Sequence, residues 1–184
     1  MKNFSSISII CLSLLAFVST KIFADTNKTN QTISDSVITT KIKAKMVMDP
    51  SISAFKVDVT TNADGVVTLA GTVNSETDAA ALIQIAQATD GVTDVNVSKL
   101  MVKNSKQLLA DTVITAKVKG IFIRENLLGQ ADAPAPSTNI NIETNNAVVY
   151  LSGKVNTQQE ADNAINLAKT IKGVKKVESR LKIG

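Results

Sequence analysis

Apolar residues recur along this chain with a helical period, then with a strand period, and the series occurs twice. Every fourth residue from Ile38 to Met46 is apolar, which predicts a helix capped by Ser34 or Asp35 and ending before Pro50. Apolar and polar residues then alternate. This second pattern predicts two strands, over residues 55–59 and 67–73, joined by turn residues at 62–65.

A second helix and a last strand complete the first unit. Ser75 and Asp78 have capping-box spacing, so a helix is expected to begin there, and Gly91 is expected to end it. A strand follows over about residues 92–102. The second half predicts the same order, with Thr157 and Glu160 repeating the box, in elements at 111–124, 140–144, 148–155, 157–172 and 174–183.

An internal duplication underlies this symmetry. The segment at 35–43 returns at 111–119 with six of nine positions identical, and residues 66–95 match 148–177 at 12 of 30 positions. The offset between the copies grows from 76 to 82, so six extra residues lie between the matched blocks. Residues 129–136, rich in Ala, Pro and Gly, are predicted to form that insertion as a surface loop.

The predicted fold class is α+β, with two tandem α-β-β-α-β domains at 35–103 and 111–183. A right-handed crossover should give each domain a small three-stranded mixed sheet with two helices on one face. Packing of one repeat on the other is expected, because units of about 70 residues are near the limit of independent stability. Gly71 and Gly153 lie inside strands, which indicates close packing of a helix over the sheet.

The first 24 residues have the pattern of a secretory signal peptide. Lys2 precedes an apolar run over 7–18, which is shorter than the ~20 residues that span a bilayer. The small residue Ala24 favours cleavage before Asp25. Cys11 lies inside the apolar run without the small residues that precede a lipidated cysteine. We therefore predict export, a signal peptide at 1–24 and a mature chain that begins at Asp25.

Composition limits the chemistry available to the mature chain. The 184-residue sequence has no His, no Trp and one Cys, and that Cys lies within the signal peptide. Thiol and imidazole catalysis, disulfides and ordinary zinc or copper sites are therefore excluded. Glu76 and Glu160 lie in first helical turns, where carboxylates favour the helix dipole. We predict a protein that is not an enzyme, with no catalytic residues, no cofactor and no metal.

One doubled motif resembles a known family. The segments VTLAGTV at 67–73 and VYLSGKV at 149–155 are each followed by a helix and then by GVTDV at 91–95 or GVKKV at 173–177. This arrangement resembles the BON domain family over nearly all of the mature chain. The resemblance implies a Gram-negative periplasmic protein.

The same resemblance implies a set of functions. Members of the family are associated with phospholipid binding, envelope integrity and stress, and two-domain osmotically inducible members with chaperoning of outer-membrane or secreted polypeptides. A related two-domain lipoprotein carries a Cys at its cleavage point. This chain has Asp25 there, which argues against a covalent anchor.

Charge is uneven between the copies. Residues 35–103 hold six Lys and eight acidic residues, whereas residues 104–184 hold eleven Lys plus Arg and seven acidic residues. Basic residues also surround Gly173, at Lys169, Lys172, Lys175 and Lys176. A solvated face is one interpretation of these lysines. The other is attraction to anionic lipid headgroups, which contributes about 1 kcal/mol per basic residue at a charged surface.

The first helix of the second copy is the candidate lipid-binding site. A helical wheel places an apolar stripe inward, formed by Ile114, Val118, Ile121 and Phe122. Ile123 then points outward, unless the helix ends before it and the residue turns into the core. The predicted lipid-binding residues are Lys117, Lys119, Ile123 and Arg124.

Two partners fit these features. An anionic phospholipid membrane surface would need a basic and partly apolar patch, and unfolded envelope proteins would need accessible apolar surface or strand edges. Nucleic acid is not expected, because only Phe55, Phe122 and Tyr150 remain as aromatic residues after cleavage. The sequence leaves the choice between lipid and client protein open, and it does not define the oligomeric state.

Overall fold

The structure is a computed structural model that describes residues 25–49, 52, 56–103, 109–128 and 139–184. The predicted signal peptide at 1–24 and the predicted loop at 129–136 lie outside the described residues. Residues 35–184, which include both repeats, form one compact unit.

The described elements follow the predicted order. They are α1 (Asp25–Met48), β1 (Lys56–Thr61), β2 (Val66–Val73), α2 (Glu76–Gln87), β3 (Asp94–Val102), α3 (Ala110–Arg124), β4 (Asn139–Asn145), β5 (Val148–Val155), α4 (Gln158–Thr170) and β6 (Lys176–Ile183). This series is helix, strand, strand, helix, strand, twice over. The predicted fold class and tandem repeat are confirmed.

Each repeat has a three-stranded mixed sheet. In the first, β2 lies in the centre, antiparallel to β1 and parallel to β3. In the second, β5 takes the central place, antiparallel to β4 and parallel to β6. The parallel pair requires a crossover connection, and α2 and α4 supply it.

Local hydrogen bonds explain where the crossover helices begin. The Asp78 amide donates to the Ser75 hydroxyl at 3.1 Å, and the Ser75 amide donates to the Asp78 carboxylate at 3.1 Å. The capping box predicted for α2 is therefore complete. At α4 the Glu160 amide donates to Thr157 Oγ1 at 3.1 Å, while the Glu160 carboxylate accepts from the Asn156 amide at 2.8 Å. The box predicted for α4 is therefore only half formed, because the Glu160 carboxylate binds the amide of Asn156, one residue before the N-cap Thr157.

The two strand glycines have a different role from the one predicted. Gly71 and Gly153 have φ of +133° and +120°, which other residues rarely adopt. A Cβ at Gly71 would meet the Lys56 carbonyl, and a Cβ at Gly153 would meet the Asn139 carbonyl. The prediction of a helix packed at these positions is wrong, because the close neighbour is the backbone of the adjacent strand.

The hydrophobic core has two parts, one for each repeat. Valine and leucine side chains from the inner faces of the sheets pack against the helices. Equivalent contacts fix the first helix of each repeat: Ile38 approaches Gly91, and Ile114 approaches Gly173. Helix α3 contributes to both cores, because Ala116 belongs to the first cluster. The two repeats therefore share a helix at their junction.

Candidate functional site

Helix α3 carries the residues singled out by sequence, and its inward stripe lies where predicted. Ile114, Val118, Ile121 and Phe122 are all buried in the core of the second repeat. The helix continues to Arg124, so it does not end before Ile123. Its opposite side faces α2 of the first repeat.

Lys117 is buried at the contact between the repeats. Its residue exposure is 5%, and its Nζ lies 2.6 Å from Asp94 Oδ1 at the start of β3. Asp94 also accepts a 2.8 Å hydrogen bond from the Val95 amide. The predicted outward role of Lys117 is wrong, because the ammonium group neutralises a carboxylate of the first repeat instead of facing solvent.

Arg124 is held at the same junction. Its Nη1 donates to the Val92 carbonyl at 2.8 Å and lies 3.5 Å from the Gln87 carbonyl. Its Nε donates to the Glu125 carboxylate at 3.1 Å. The guanidinium group therefore satisfies backbone carbonyls at the end of α2. The predicted lipid-facing position of Arg124 is therefore wrong, because its guanidinium group lies at the contact between the repeats.

Lys119 and Ile123 are both half-buried. They do not lie together with Lys117 and Arg124 on one free surface. Two of the four predicted site residues, Lys117 and Arg124, thus serve the contact between repeats.

Sequence reasoning missed the residue that brings the helices close. Gly120 in α3 faces α2, and a Cβ added there would lie 2.6 Å from Gln87 Cβ and 2.8 Å from the Gln84 carbonyl oxygen. Gln87 is 1% exposed, and its Oε1 has no hydrogen-bond partner among the described residues. The first repeat has Ala44 at the position of Gly120. That difference between otherwise matched helices was the available signal.

A basic surface does exist, on another part of the second repeat. Lys169, Lys172, Lys175 and Lys176 are exposed around the turn between α4 and β6. Lys176 Nζ lies 2.9 Å from Glu178 Oε1, and this hydrogen bond raises the pKa of Lys176 above its ordinary value.

The open face of the second sheet extends this basic surface. Lys154 and Lys182 are register partners on β5 and β6, and Arg180 lies two residues before Lys182. All three are exposed. The first sheet pairs Thr72 with Met101 at the matching place. These basic side chains concentrate positive charge on this face, which attracts anions.

Other kinds of site lack support within the described ranges. No set of three or more Cys, His, Asp or Glu side chains there is arranged to hold a metal ion. None of the helices described has the length and apolar character needed to cross a bilayer. A groove on the open face of the second sheet is lined in part by Glu143, Tyr150 and Arg180.

The family follows from this repeated fold and from sequence comparison. The model of the BON domain matches residues 34–104 and 110–184, so the chain belongs to the BON domain family. It is similar to Osmotically-inducible protein Y of Escherichia coli (strain K12), with 34% identity over 167 residues, 88% of this chain and 79% of that protein. The resemblance inferred from sequence is confirmed.

Two further similarities are more distant. An Anaplasma centrale protein described as "Uncharacterized protein in gshII 5'region" is 30% identical over 155 residues, covering 82% of this chain and 95% of that one. The C-terminal domain of CdsD, a structural protein of the type III secretion system of Chlamydia trachomatis, matches with a TM-score of 0.33 and 13% identity. That match covers 82% of this chain and 67% of that one, and we draw no argument from it.

Proposed function

We propose that this protein is a non-enzymatic, periplasmic BON-domain protein that contributes to envelope integrity by reversible binding of anionic phospholipid. Membership of the family supports an envelope role. The name of the Escherichia coli relative supports a link to osmotic stress. The predicted signal peptide at 1–24, cleaved after Ala24, supports the compartment.

The observation that carries the proposal is the exposed basic surface of the second repeat. Lys169 lies in the last turn of α4, Lys172 and Lys175 lie in the turn that follows, and Lys154 and Lys182 lie on the open sheet face. Each basic residue near an anionic surface contributes about 1 kcal/mol, and the attraction weakens within a Debye length. Several such residues together are enough for reversible contact without a membrane-spanning segment.

Liposome co-sedimentation tests this proposal. The protein should pellet with phosphatidylglycerol-containing vesicles and not with phosphatidylcholine vesicles, and binding should fall steeply between low and moderate salt. Lys172→Glu with Lys175→Glu should abolish pelleting, because two attractive charges become repulsive. Lys56→Glu with Lys99→Glu is the matched control, since it changes the net charge equally on exposed positions of the first repeat. Salt-insensitive binding, or equal loss in both double variants, would contradict the proposal.

The alternative is a periplasmic chaperone that holds unfolded outer-membrane or secreted clients. Exposed edges favour it, because β1, β3, β4 and β6 each lie at the edge of their sheet. Met101 and Ile183 add exposed apolar surface on β3 and β6. Suppression of client aggregation, followed by light scattering, should then persist at high salt and in the Lys172→Glu, Lys175→Glu variant.

A further inference from the structure

The first helices of the two repeats differ in what covers their outer side. In α3 that side contacts the first repeat through Ala116, Lys117, Gly120 and Arg124, whose partners lie on α2, at the start of β3 and in the turn between them. The equivalent residues of α1 lie 76 positions earlier, and all are exposed: Thr40, Lys41, Ala44 and Met48. The same side of the same helix is thus a contact surface in one repeat and free in the other.

Apolar side chains are concentrated on this free side of α1. Val37, Val47 and Met48 are 45%, 88% and 82% exposed. With Thr40 and Ala44 they have the spacing of one helical stripe, opposite the buried Ile38 and Ile42. We refer to Val37, Thr40, Ala44, Val47 and Met48, with Lys41 at the edge, as the outer face of α1.

We propose that the outer face of α1 is a docking surface for a helix of another protein, with a small side chain of that helix facing Ala44 and a carboxylate from the chain that follows it facing Lys41. This proposal goes beyond lipid binding and does not depend on it. The contact of α3 with α2 supplies its geometry, because the two first helices occupy matching places in one fold.

Charge complementarity defines the first requirement on the partner. Inside the chain, Lys117 meets the Asp94 carboxylate, and the Thr112 hydroxyl donates to the Glu76 carboxylate at 3.3 Å. Lys41 takes the place of Lys117 on α1, and the segment 36–48 contains three lysines and no acidic residue. An acidic partner therefore completes the same interaction, and a basic one is repelled.

Size defines the second requirement. Gly120 allows α3 to approach Gln87, whereas α1 carries Ala44 at that place. The added methyl group requires a smaller residue than glutamine on the facing helix, because packed helices leave no space for an extra methyl group. The fitting partner is a helix with Ala or Gly at the point of closest approach.

A second copy of this chain does not meet these requirements. Its free equivalent of α2 is α4, with exposed Lys169 at the place of Gln87, and the start of β6 has exposed Lys176 at the place of Asp94. Docking α4 on α1 would bring Lys176 towards Lys41 and the long side chain of Lys169 towards Ala44. Both charge and size disfavour self-association.

Because Lys169 and Lys176 are what prevents a second copy from docking, replacing them tests the proposal. Lys169→Ala gives α4 the small residue and Lys176→Asp gives the start of β6 the carboxylate, so a second copy then supplies the partner chemistry. Sedimentation velocity over a concentration series should show a monomeric parent and a double variant that shifts to larger species. Because α1 and α4 are different surfaces, the contact joins copies head to tail and the species should grow with concentration.

Lys41 supplies the matched controls. Adding Lys41→Asp to the double variant places two carboxylates together and should return it to monomer. Lys41→Asp with Lys169→Ala and the native Lys176 restores opposite charges and should associate again. Circular dichroism checks that every variant is folded. The proposal fails if the folded double variant stays monomeric. It also fails if association of the double variant does not depend on the charge at position 41, or if the parent protein already associates through Lys41.

Discussion

The ammonium group of Lys117 lies 2.6 Å from the carboxylate of Asp94, and this ion pair joins the two repeats. With the repeats exchanged, the equivalent residues are Lys41 of the first and Lys176 of the second, two cations that would repel each other. The copies therefore share a fold but differ in the chemistry of the surfaces that meet. The junction between them is formed by a few positions at which they have diverged.

Removing Lys117 should destabilise the protein. Lys117→Ala leaves Asp94 partly buried without its cation, so we expect a loss of ~2 kcal/mol, below the range for fully buried pairs because the Asp94 side chain is 28% exposed. Lys41→Ala should change the free energy of unfolding by less than ~0.5 kcal/mol, because Lys41 is exposed. Urea denaturation of both variants measures the difference. Equal effects would contradict the structural role assigned to Lys117.

Gly120→Ala should also destabilise, although alanine favours helices. The new Cβ would lie within 3 Å of both Gln87 Cβ and the Gln84 carbonyl oxygen, so the helices must separate. We expect a net loss of ~1–3 kcal/mol in thermal or urea denaturation, the usual cost of overpacking. Combining it with Gln87→Ala should recover part of the loss. A more stable Gly120→Ala protein would show that α3 is farther from α2 than described.

Arg124→Ala should cost ~1–2 kcal/mol, because the Val92 carbonyl loses a charge-assisted hydrogen bond. Met48→Ala at the matching position of α1 should be nearly neutral, since Met48 is exposed. Denaturant midpoints at equal protein concentration compare the two. Lipid-binding assays on Arg124 variants therefore need a stability control, because unfolding alone could reduce binding.

Gly153→Ala should be more damaging than a typical surface change. It combines a positive φ with a contact between the new Cβ and the Asn139 carbonyl, so a loss of ~2–3 kcal/mol is expected. Ser152→Ala, one residue earlier on β5, should cost under ~1 kcal/mol and serves as the control. Circular dichroism during urea titration measures both. A native-like Gly153→Ala protein would mean that β4 and β5 pair in a different register.

Export should yield a chain that begins at Asp25. Intact-mass spectrometry of protein from the periplasmic fraction should give the mass of residues 25–184 with no lipid added. A retained N-terminus, or an added acyl mass, would overturn the predicted localisation.

The fold could be predicted from the sequence because the chain contains the same series of elements twice. Periodicity and the Ser75 cap locate the helices and strands through local interactions, which can be read from a single chain. The end of α2 was predicted less well, because the helix stops at Gln87, before Gly91. The open sheet faces and the inward stripe of α3 follow from the same periodicity.

The candidate site was harder to predict because a helix can bury two sides. The second covered side of α3 consists of the buried Ala116, Lys117 and Gly120 and the half-buried Arg124, a set that looks solvated on a helical wheel. Its partners lie on α2, β3 and the turn between them, and no period in the sequence links these to α3. Only the three-dimensional arrangement shows that Lys117 and Arg124 stabilise the junction.

The shared helix makes the first repeat depend on the second. Ala116 of α3 packs in the first core, while Ile114 and Val118 of the same helix pack in the second. We expect that melting the second core would release α3 and so remove Ala116 from the first core. The two copies are therefore not interchangeable modules, and deleting the second repeat should destabilise the first.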